Sequence, residues 1–236
     1  FATGAGSGLA RAVAQRFTRE GGRVAVVDFN GDAAKKAAAE LGGAIALQVD
    51  VSDEAGMARV VADAHRHFGR IDCAFSAAGI AETDPIEQWT LERFNRHIGI
   101  HVGGTFLCFK NLIPIMKAQG GGSIVTVASV AALVAQKFNG PYGAAKAAIL
   151  QLSRQVAADV APFNIRVNIV APGSIQTAMT EPYMLKRGEG DIEKGRALHA
   201  KFFGVQRIGV PDDIAAPVCH LLSDEAAYTT GHCMVI

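Results

Sequence analysis

Short apolar runs alternate with helical patterns along the whole chain of 236 residues. The runs are rich in Val, Ile and Ala, as in strands buried on both faces, and the segments between them have helical periodicity. Strands are predicted at Phe1–Thr3, Arg23–Val27, Ala44–Val49, Ile71–Phe75, Gly122–Val127, Arg166–Val170 and Cys233–Ile236. Helices are predicted near Gly8–Arg19, Asp32–Leu41, Glu54–Phe68, Leu91–Lys117, Tyr142–Val160 and Pro211–Leu222. The alternation predicts a single α/β domain over residues 1–236, with a doubly wound parallel sheet of about seven strands and helices on both faces.

The composition argues against nucleic-acid and membrane partners. The chain carries 23 Lys and Arg against 22 Asp and Glu, and it lacks the dense basic run that a nucleic-acid binder needs. No uninterrupted apolar stretch approaches the roughly 18 to 20 residues of a membrane helix, and Val130–Ala135 is far too short. We therefore expect a soluble protein with no nucleic-acid partner and no membrane partner.

The cysteines bear on the cellular compartment. Cys73, Cys108, Cys219 and Cys233 are widely spaced within apolar runs and form no C-x-x-C pair, which is typical of buried free thiols in a reducing compartment. We therefore expect a cytoplasmic protein without disulfides. The chain begins and ends in strand-like runs, and its first residue is not methionine. We expect the natural protein to extend beyond both ends, and a targeting segment upstream stays open.

A glycine-rich segment, Thr3–Ala10, opens the first predicted helix. Glycines let the backbone turn tightly and approach a pyrophosphate, whose charge is stabilised by the amides at a helix N-terminus. A plain turn between a strand and a helix explains the same glycines. The second strand leads into Asp28, which is placed to accept hydrogen bonds from ribose hydroxyls, and no Arg or Lys follows at once to neutralise a 2′-phosphate. Together the two features predict an NAD site rather than an NADP site.

Tyr142, Lys146 and Ser129 together predict a proton-transfer site. Tyr142 precedes Lys146 by four residues and follows Ser129 by thirteen. Residues four apart share one face of a helix, so the ammonium would lie beside the phenol. A phenol titrates near 10, so acid–base work at neutral pH needs its pKa lowered by about three units, or roughly 4 kcal/mol. One positive charge at about 4 Å supplies that much at an effective dielectric constant near 20. Ser129 would then hydrogen-bond the oxygen that gains or loses the proton, although a Tyr-x-x-x-Lys pair alone also occurs by chance on helix surfaces.

These motifs resemble those of the short-chain dehydrogenase/reductase family, from Thr3 to the last residue. The family's glycine motif, Thr-Gly-x-x-x-Gly-x-Gly, is matched by Thr3, Gly4 and Gly8, with Ala10 in place of the last glycine. The resemblance implies a Rossmann-type fold, NAD as the cofactor, a small-molecule secondary alcohol or ketone as the partner, and a homotetramer. It also implies that the three residues of the proton-transfer site are catalytic. The cofactor-binding residues that it implies are Gly4, Ser7, Gly8, Leu9, Asp28, Phe29, Asp50, Val51, Ala77, Ala78, Gly79, Tyr142, Lys146, Pro172, Gly173, Ile175 and Thr177.

Two departures from the family pattern affect the site. Residues 76–79 read Ser-Ala-Ala-Gly where the family has Asn-Asn-Ala-Gly, so side-chain amides that brace the sheet are missing. His101 occupies the position of the family's catalytic asparagine, which is thought to hold a water linking the lysine to solvent. An imidazole can hold a water too, and it titrates near 6.5, so we predict that His101 is a fourth catalytic residue, a relay that adds a pH-dependent charge near Lys146. The alternative is that His101 fills a helix kink. His97 lies four residues earlier, the spacing of a zinc pair, but no third ligand is evident and no metal is expected.

The segment 178–210 mixes charged residues with aromatic and aliphatic ones, and it resembles the family's substrate lid. The members that are credible as pocket lining are Tyr183, Met184, Leu185, Phe202 and Phe203. A solvated surface helix explains the charges equally well. Because pockets are defined by shape rather than by composition, the sequence leaves the substrate open.

The chain as a whole is predicted to be an NAD-dependent oxidoreductase that transfers a hydride between a secondary alcohol or ketone and the nicotinamide, with Tyr142 as general acid/base. The chief alternative is a catalytically silent NAD-binding sensor or scaffold of the same fold. An epimerase or dehydratase is disfavoured, because such relatives have a different glycine spacing and a larger carboxyl-terminal domain. A hydrolase is disfavoured because Ser129 lacks the G-x-S-x-G sequence that surrounds a serine nucleophile.

Overall fold

Seven parallel strands form one sheet in the computed structural model, which describes residues 1–236. The strands are β1 (Ala2–Thr3), β2 (Ala25–Asp28), β3 (Ile45–Gln48), β4 (Cys73–Ser76), β5 (Gly122–Val127), β6 (Ile165–Ala171) and β7 (Cys233–Val235). Their order across the sheet is β3-β2-β1-β4-β5-β6-β7, so the winding reverses between β1 and β4. All neighbouring strands pair in parallel, which confirms the predicted doubly wound sheet.

Nine α-helices accompany the strands. They are α1 (Gly8–Arg19), α2 (Gly31–Ala39), α3 (Glu54–Phe68), α4 (Leu91–Ile98), α5 (Gly104–Ala118), α6 (Gly140–Val160), α7 (Glu181–Arg187), α8 (Ile192–Ala200) and α9 (Pro211–Leu222). Every helix predicted from the sequence is present. Helices α7 and α8, of seven and nine residues, lie in the segment 178–210 and were not predicted, because such short helices rich in charged residues carry little apolar periodicity.

The helices cover both faces of the sheet, so the strands are buried on both sides. One core packs α1, α2 and α9 against one face, with Val13, Val26 and Ile214 almost fully buried. The other core packs α3, α5 and the end of α6 against the opposite face, around Met57 and Leu112. This double burial explains why the strands read as continuous apolar runs rather than as alternating patterns.

The helix predicted near Leu91–Lys117 is one continuous helical segment with an irregular middle. A π-helical turn at Gly99–Gly103 joins α4 to α5. The segment 91–118 is long and apolar enough to cross a membrane by length and composition alone, although charged residues interrupt its apolar stretches. In the fold, its α5 part packs Leu107, Leu112 and Met116 into the core, as a central helix of a globular domain does.

The four cysteines are all free thiols. Cys108 and Cys219 are buried as predicted, whereas Cys73 and Cys233 are only half-buried. Burial raises the pKa of the Cys108 thiol to about 11, so this side chain acts as a small apolar residue of the core.

Candidate active site

The residues singled out from the sequence converge at the carboxyl edge of the sheet. The glycine-rich turn follows β1, Asp28 ends β2, and Gly79 follows β4. Ser129 follows β5 and Pro172 follows β6. Because all the strands are parallel, their carboxyl ends meet at one edge, and the reversal between β1 and β4 opens the crevice in which such sheets bind ligands.

The glycine-rich turn brings two backbone segments into close contact. Gly4 and Gly8 adopt the left-handed conformation, with φ of +69° and +57°. A Cβ atom on Gly4 would lie 3.0 Å from Cα of Ala78, so only glycine fits there. Ser7 is the N-cap of α1, but its side chain does not cap the helix, and the first turn contains no acidic residue. The amides at the positive end of α1 therefore remain free to bind an anion.

Asp28 is held in place by two backbone amides. Its Oδ2 accepts a hydrogen bond from Gly6 N at 2.9 Å, and its Oδ1 accepts one from Asn30 N at 2.9 Å. A Cβ atom on Gly6 would lie 2.9 Å from both this carboxylate and the Ala33 side chain. The sequence reasoning missed Gly6 as a residue that positions Asp28, although its place between the two motif glycines was a usable signal. Phe29, the next residue, is 72% exposed at the same edge.

The loop after β4 is braced by Thr3 rather than by side-chain amides. The Thr3 hydroxyl oxygen accepts hydrogen bonds from the backbone amides of Ala77, at 3.1 Å, and Ala78, at 3.3 Å. Ser76 lies 3.5 Å from Thr105 through their hydroxyl groups. The bracing that the sequence analysis considered lost with the family's two asparagines is therefore supplied from β1.

Tyr142 and Lys146 share one face of α6, as predicted. The Lys146 Nζ lies 5.5 Å from the centre of the Tyr142 ring and donates a hydrogen bond to the Val127 carbonyl at 2.8 Å. Lys146 is only 4% exposed, and burial lowers its pKa from 10.5 to about 7. The Ser129 hydroxyl is close enough to the Tyr142 phenol to lower the pKa of that phenol, and it accepts a hydrogen bond from Ala131 N at 3.2 Å. The three side chains that the sequence grouped together do meet in the structure.

The pKa of Tyr142 is shifted upward, whereas the sequence predicts a downward shift. Burial raises the pKa of the phenol above its ordinary value of 10, and the neighbouring Ser129 hydroxyl offsets only part of that rise. Lys146 does not lower the tyrosine pKa here, because its Nζ is directed to the Val127 carbonyl and is only partly protonated at neutral pH.

His101 lies in the π-helical turn and is almost fully buried against the loop after β4. Its Nε2 lies 2.8 Å from the Ile80 carbonyl oxygen and 3.2 Å from the Ile80 amide nitrogen. Its ring meets the Tyr142 ring edge to face, with the centroids 5.5 Å apart. A Cβ atom on Gly79 would overlap the imidazole, 2.9 Å from its Nδ1, so Gly79 is required by this packing.

His101 does not titrate near neutrality. Burial, and secondarily the positive charge of Lys146, lower its pKa from 6.5 to about 3. The prediction that this imidazole adds a second pH-dependent charge near pH 7 is therefore wrong, and the ring is neutral over the physiological range.

The loop after β6 connects the site to the segment 178–210. Gly173 N donates to the Ile236 carbonyl at 2.7 Å, and the Pro172 carbonyl accepts from Val130 N at 3.1 Å. Ile175 is buried and forms a β-bridge with Gly209. Just beyond it, Thr177 lies against the glycine-rich turn, its methyl carbon 3.7 Å from the position of a Cβ on Gly8.

Two contacts in the segment 178–210 bear on the lid prediction. The Ser174 hydroxyl and His199 Nε2 are hydrogen-bonded at 2.7 Å, a contact between the loop after β6 and α8 that the sequence did not signal. Met184 is 2% exposed and therefore buried, and its assignment as pocket lining stays a prediction. Tyr183 and Phe202, 47% and 71% exposed, remain on the surface of the segment.

The remaining predicted cofactor residues lie in supporting positions. Asp50 Oδ1 accepts hydrogen bonds from the amide and hydroxyl of Ser52, at 2.9 and 2.7 Å. Val51 is buried beneath Gly104 of α5. Leu9 packs partly into the core, which leaves its backbone rather than its side chain facing the site. No group of three or more His, Cys, Asp or Glu side chains is arranged to hold a metal ion.

Comparisons with known proteins place this geometry in a family. Residues 4–236 match a family model described as enoyl-(acyl carrier protein) reductase. A 2,5-dichloro-2,5-cyclohexadiene-1,4-diol dehydrogenase of Sphingobium indicum is 37% identical over 98% of this chain and 92% of the relative. A crystal structure of levodione reductase matches with a TM-score of 0.95 and 33% identity, over 100% of this chain and 94% of the other. A crystal structure of an NAD⁺-bound xylitol dehydrogenase matches with a TM-score of 0.93 and 32% identity, over 100% and 95%. With these matches over almost its entire length, and with the glycine turn and the Ser-Tyr-Lys group assembled at one edge of the sheet, the chain belongs to the short-chain dehydrogenase/reductase family of oxidoreductases.

Proposed function

We propose that this protein is an NAD(H)-dependent oxidoreductase that transfers a hydride between a secondary alcohol, or the matching ketone, and the nicotinamide. The observation that carries the proposal is the meeting of Tyr142, Ser129 and Lys146 at the edge of the sheet that also carries the glycine-rich turn. The relatives named above, a diol dehydrogenase, a levodione reductase and a xylitol dehydrogenase, support a small-molecule alcohol or ketone as the substrate.

The residues at the carboxyl edge fit a dinucleotide. The free amides of the first turn of α1, together with the close backbone approach at Gly4, suit a pyrophosphate. The Asp28 carboxylate suits the two ribose hydroxyls of NAD and would repel the 2′-phosphate of NADP. Asp50, at the end of β3, and Gly79 line the same edge. When bound there, NAD supplies the acceptor or donor of the hydride.

Tyr142 exchanges the hydroxyl proton of the substrate as the general acid/base. Ser129, which neighbours the phenol, orients the substrate oxygen toward it. Because burial raises the pKa of Tyr142, the phenol is protonated at neutral pH and ready to donate to a ketone oxygen. Alcohol oxidation needs the phenolate, so its rate should rise with pH. In this proposal Lys146 binds the nicotinamide ribose.

His101 acts in this proposal as a neutral proton relay. Its Nε2 faces both a carbonyl acceptor and an amide donor of Ile80, so the surroundings support either tautomer of the ring. A ring that is stable in both tautomers can take up a proton at one nitrogen and release one at the other. The filler alternative requires only the packing against Gly79 and leaves the rate insensitive to the ring nitrogens.

The rival function, a silent NAD-binding sensor or scaffold, has less support. Burying a lysine without an anionic partner is costly, and here burial lowers the pKa of Lys146 to about 7. A scaffold gains nothing from that cost, whereas a catalyst gains a titratable group at the reacting centre. NAD binding without turnover of any alcohol or ketone would favour the rival.

The segment 178–210 serves in this proposal as the substrate lid. Its start lies against the glycine-rich turn through Thr177, and α8 is tied to the loop after β6 through the Ser174–His199 hydrogen bond. The exposed rings of Tyr183 and Phe202 supply apolar surface for a substrate. A lid anchored on the cofactor side would close over the substrate only after the site is assembled.

The proposed assembly is a homotetramer in the cytoplasm. Phe106 on α5 is 49% exposed and Phe163, just beyond α6, is 44% exposed. Large exposed apolar side chains on neighbouring helices are commonly covered by a second subunit. Light scattering that reports a monomer at micromolar concentration would contradict this part of the proposal.

A panel of secondary alcohols, including cyclic diols and polyols, assayed with NAD at alkaline pH tests the function directly. Absorbance of the reduced nicotinamide should rise with at least one of them. The matched variant is Tyr142→Phe, which keeps the ring and removes only the hydroxyl. Its turnover should fall by about 10² to 10⁴ while NAD binding, measured by calorimetry, stays unchanged. Unchanged turnover would refute the mechanism.

A further inference from the structure

Two buried histidines lie one turn apart where α4 passes into the π-helical turn. His97 is 0% exposed and His101 is 1% exposed, and their ring centroids are 5.9 Å apart with the planes tilted by 34°. The His101 ring packs edge to face against the Tyr142 ring, and the His97 ring packs edge to face against the Trp89 indole. His97 thus lies directly behind the residue that stands beside the acid/base group, yet nothing in the proposed mechanism uses it.

The hydrogen bonding of His97 fixes its tautomer. Its Nδ1 lies 3.2 Å from the Arg93 carbonyl oxygen, which can only accept, so the proton of the neutral ring is on Nδ1. Its Nε2 is therefore a bare acceptor. That nitrogen is buried and has no partner among the protein groups.

The Nδ1 atom of His101 is also a buried nitrogen without a partner. The Nε2 atom of the same ring is satisfied by the backbone of Ile80. The shorter contact of Nε2, 2.8 Å to the Ile80 carbonyl, favours a proton on Nε2 and leaves Nδ1 as a bare acceptor. Two unpaired acceptors in one buried region are destabilising, because each has lost its hydrogen bonds to water without a replacement.

The surrounding polar groups are already engaged elsewhere. The Trp89 indole donates to the Asp84 carbonyl at 3.2 Å, and Lys146 Nζ donates to the Val127 carbonyl at 2.8 Å. A single water can donate one hydrogen to each of the two histidine nitrogens. Two hydrogen bonds through one water join atoms roughly 4.5 to 6 Å apart, a separation that nitrogens on two rings with centroids 5.9 Å apart can adopt.

We propose that His97 is a positioning residue, and that its Nε2 and the Nδ1 of His101 hold one buried water between them. This water favours the His101 tautomer with the proton on Nε2 as the resting state of the relay, and it gives the relay a proton donor on the side away from Ile80. The inference rests on the proposed function, since it extends the proton path of Tyr142 by one residue and one water.

Two measurements test the arrangement without any turnover. A crystal structure of the enzyme should show a water within about 3.2 Å of both nitrogens. NMR of the protein labelled with ¹⁵N-histidine should show His97 protonated at Nδ1 and His101 at Nε2 at pH 7. Absence of the water, or a proton on Nε2 of His97, overturns the proposal. Both readouts hold even if Tyr142→Phe were to show that the proposed function is wrong.

Kinetics of matched variants test the role. His97→Phe keeps a ring against Trp89 but removes both nitrogens, whereas His97→Gln keeps a hydrogen-bonding group near the position of Nε2. We expect His97→Phe to lower kcat about tenfold with unchanged KM for NAD, and His97→Gln to restore most of the rate. The solvent deuterium isotope effect on kcat should rise in His97→Phe, because proton delivery becomes slower. Trp89→Phe, which alters the same stack without touching the water, should keep both wild-type values. A kcat for His97→Phe equal to that of the wild type, or a loss that His97→Gln fails to reverse, overturns the role.

Discussion

Replacing Lys146 with methionine should remove a pH dependence from the stability of the cofactor-free protein. Methionine keeps the length and most of the volume of the lysine stem but has no titratable group. Burial lowers the pKa of Lys146 in the folded state from 10.5 to about 7, whereas the unfolded chain keeps the ordinary value. The folded protein therefore binds fewer protons than the unfolded chain between these two values, so the free energy of unfolding rises with pH in that window.

The size of the effect follows from the two pKa values. The full difference corresponds to about 5 kcal/mol at 1.36 kcal/mol per pH unit. Below pH 7 both states are protonated and the penalty is fully present. From pH 7 to pH 9 the folded lysine loses its proton while the unfolded one keeps it, which relieves about 2 kcal/mol of that penalty. The variant also loses the hydrogen bond to the Val127 carbonyl, which lowers its free energy of unfolding by about 1 to 3 kcal/mol. That loss does not depend on pH.

Urea denaturation at pH 5, 6, 7 and 9 measures the difference between variant and wild type. The advantage of Lys146→Met over the wild type should shrink by about 2 kcal/mol from pH 7 to pH 9 and stay constant from pH 5 to pH 6. Lys35→Met, at an exposed position on α2, serves as the control and should show no such slope. Parallel pH dependences for Lys146→Met and the wild type would refute the reasoning that burial governs the charge of Lys146.

Four further outcomes are expected. Asp28→Ala should narrow the preference for NAD over NADP at least tenfold, or about 1.4 kcal/mol, because the variant loses both the acceptor for the ribose hydroxyls and the repulsion of a 2′-phosphate. Equal Michaelis constants for the two cofactors in the wild type would contradict this prediction. Gly6→Ala, which crowds the same carboxylate, should also weaken NAD binding, and calorimetry would measure the loss. Because burial lowers the pKa of His101 to about 3, His101→Asn should leave the pH–rate profile near neutrality unchanged. His101→Leu should lower kcat, and equal rates for the Asn and Leu variants would show that His101 only fills space. Gly79→Ala should lower the melting temperature in thermal denaturation by several degrees, corresponding to about 1 to 3 kcal/mol, because the new methyl group overlaps the His101 ring, and an unchanged melting temperature would contradict that packing.

The elements that the sequence predicts correctly are those whose signal is local. The seven strands are read from runs of apolar residues, and the bounds of α1, α3 and α9 agree with the prediction, since periodicity and end signals lie within each segment. The glycine-rich turn is local too, because positive φ at Gly4 and Gly8 restricts the residues that fit. The shared face of Tyr142 and Lys146 follows from helical spacing alone.

The predictions that failed depend on contacts between distant parts of the chain. The sequence predicts a lysine charge beside the phenol, but burial lowers the pKa of Lys146, and its Nζ is directed to the Val127 carbonyl, 19 residues away. The prediction that His101 titrates near neutrality was wrong for the same reason, because the loop at Ile80, 21 residues away, encloses the ring. A pKa is a property of the surroundings, and periodicity carries no information about them.

By itself, then, the sequence determined the class of fold, the edge of the sheet at which the chemistry lies, and the residue types that meet there. It did so because strand polarity, helical spacing and glycine conformation are fixed by the chain's local geometry. Only the tertiary structure decided the protonation states and the supporting contacts, such as Gly6 holding Asp28 across 22 residues and Thr3 bracing Ala77 across 74. Desolvation and hydrogen bonding act through space, so they exist only once the sheet has brought those segments together.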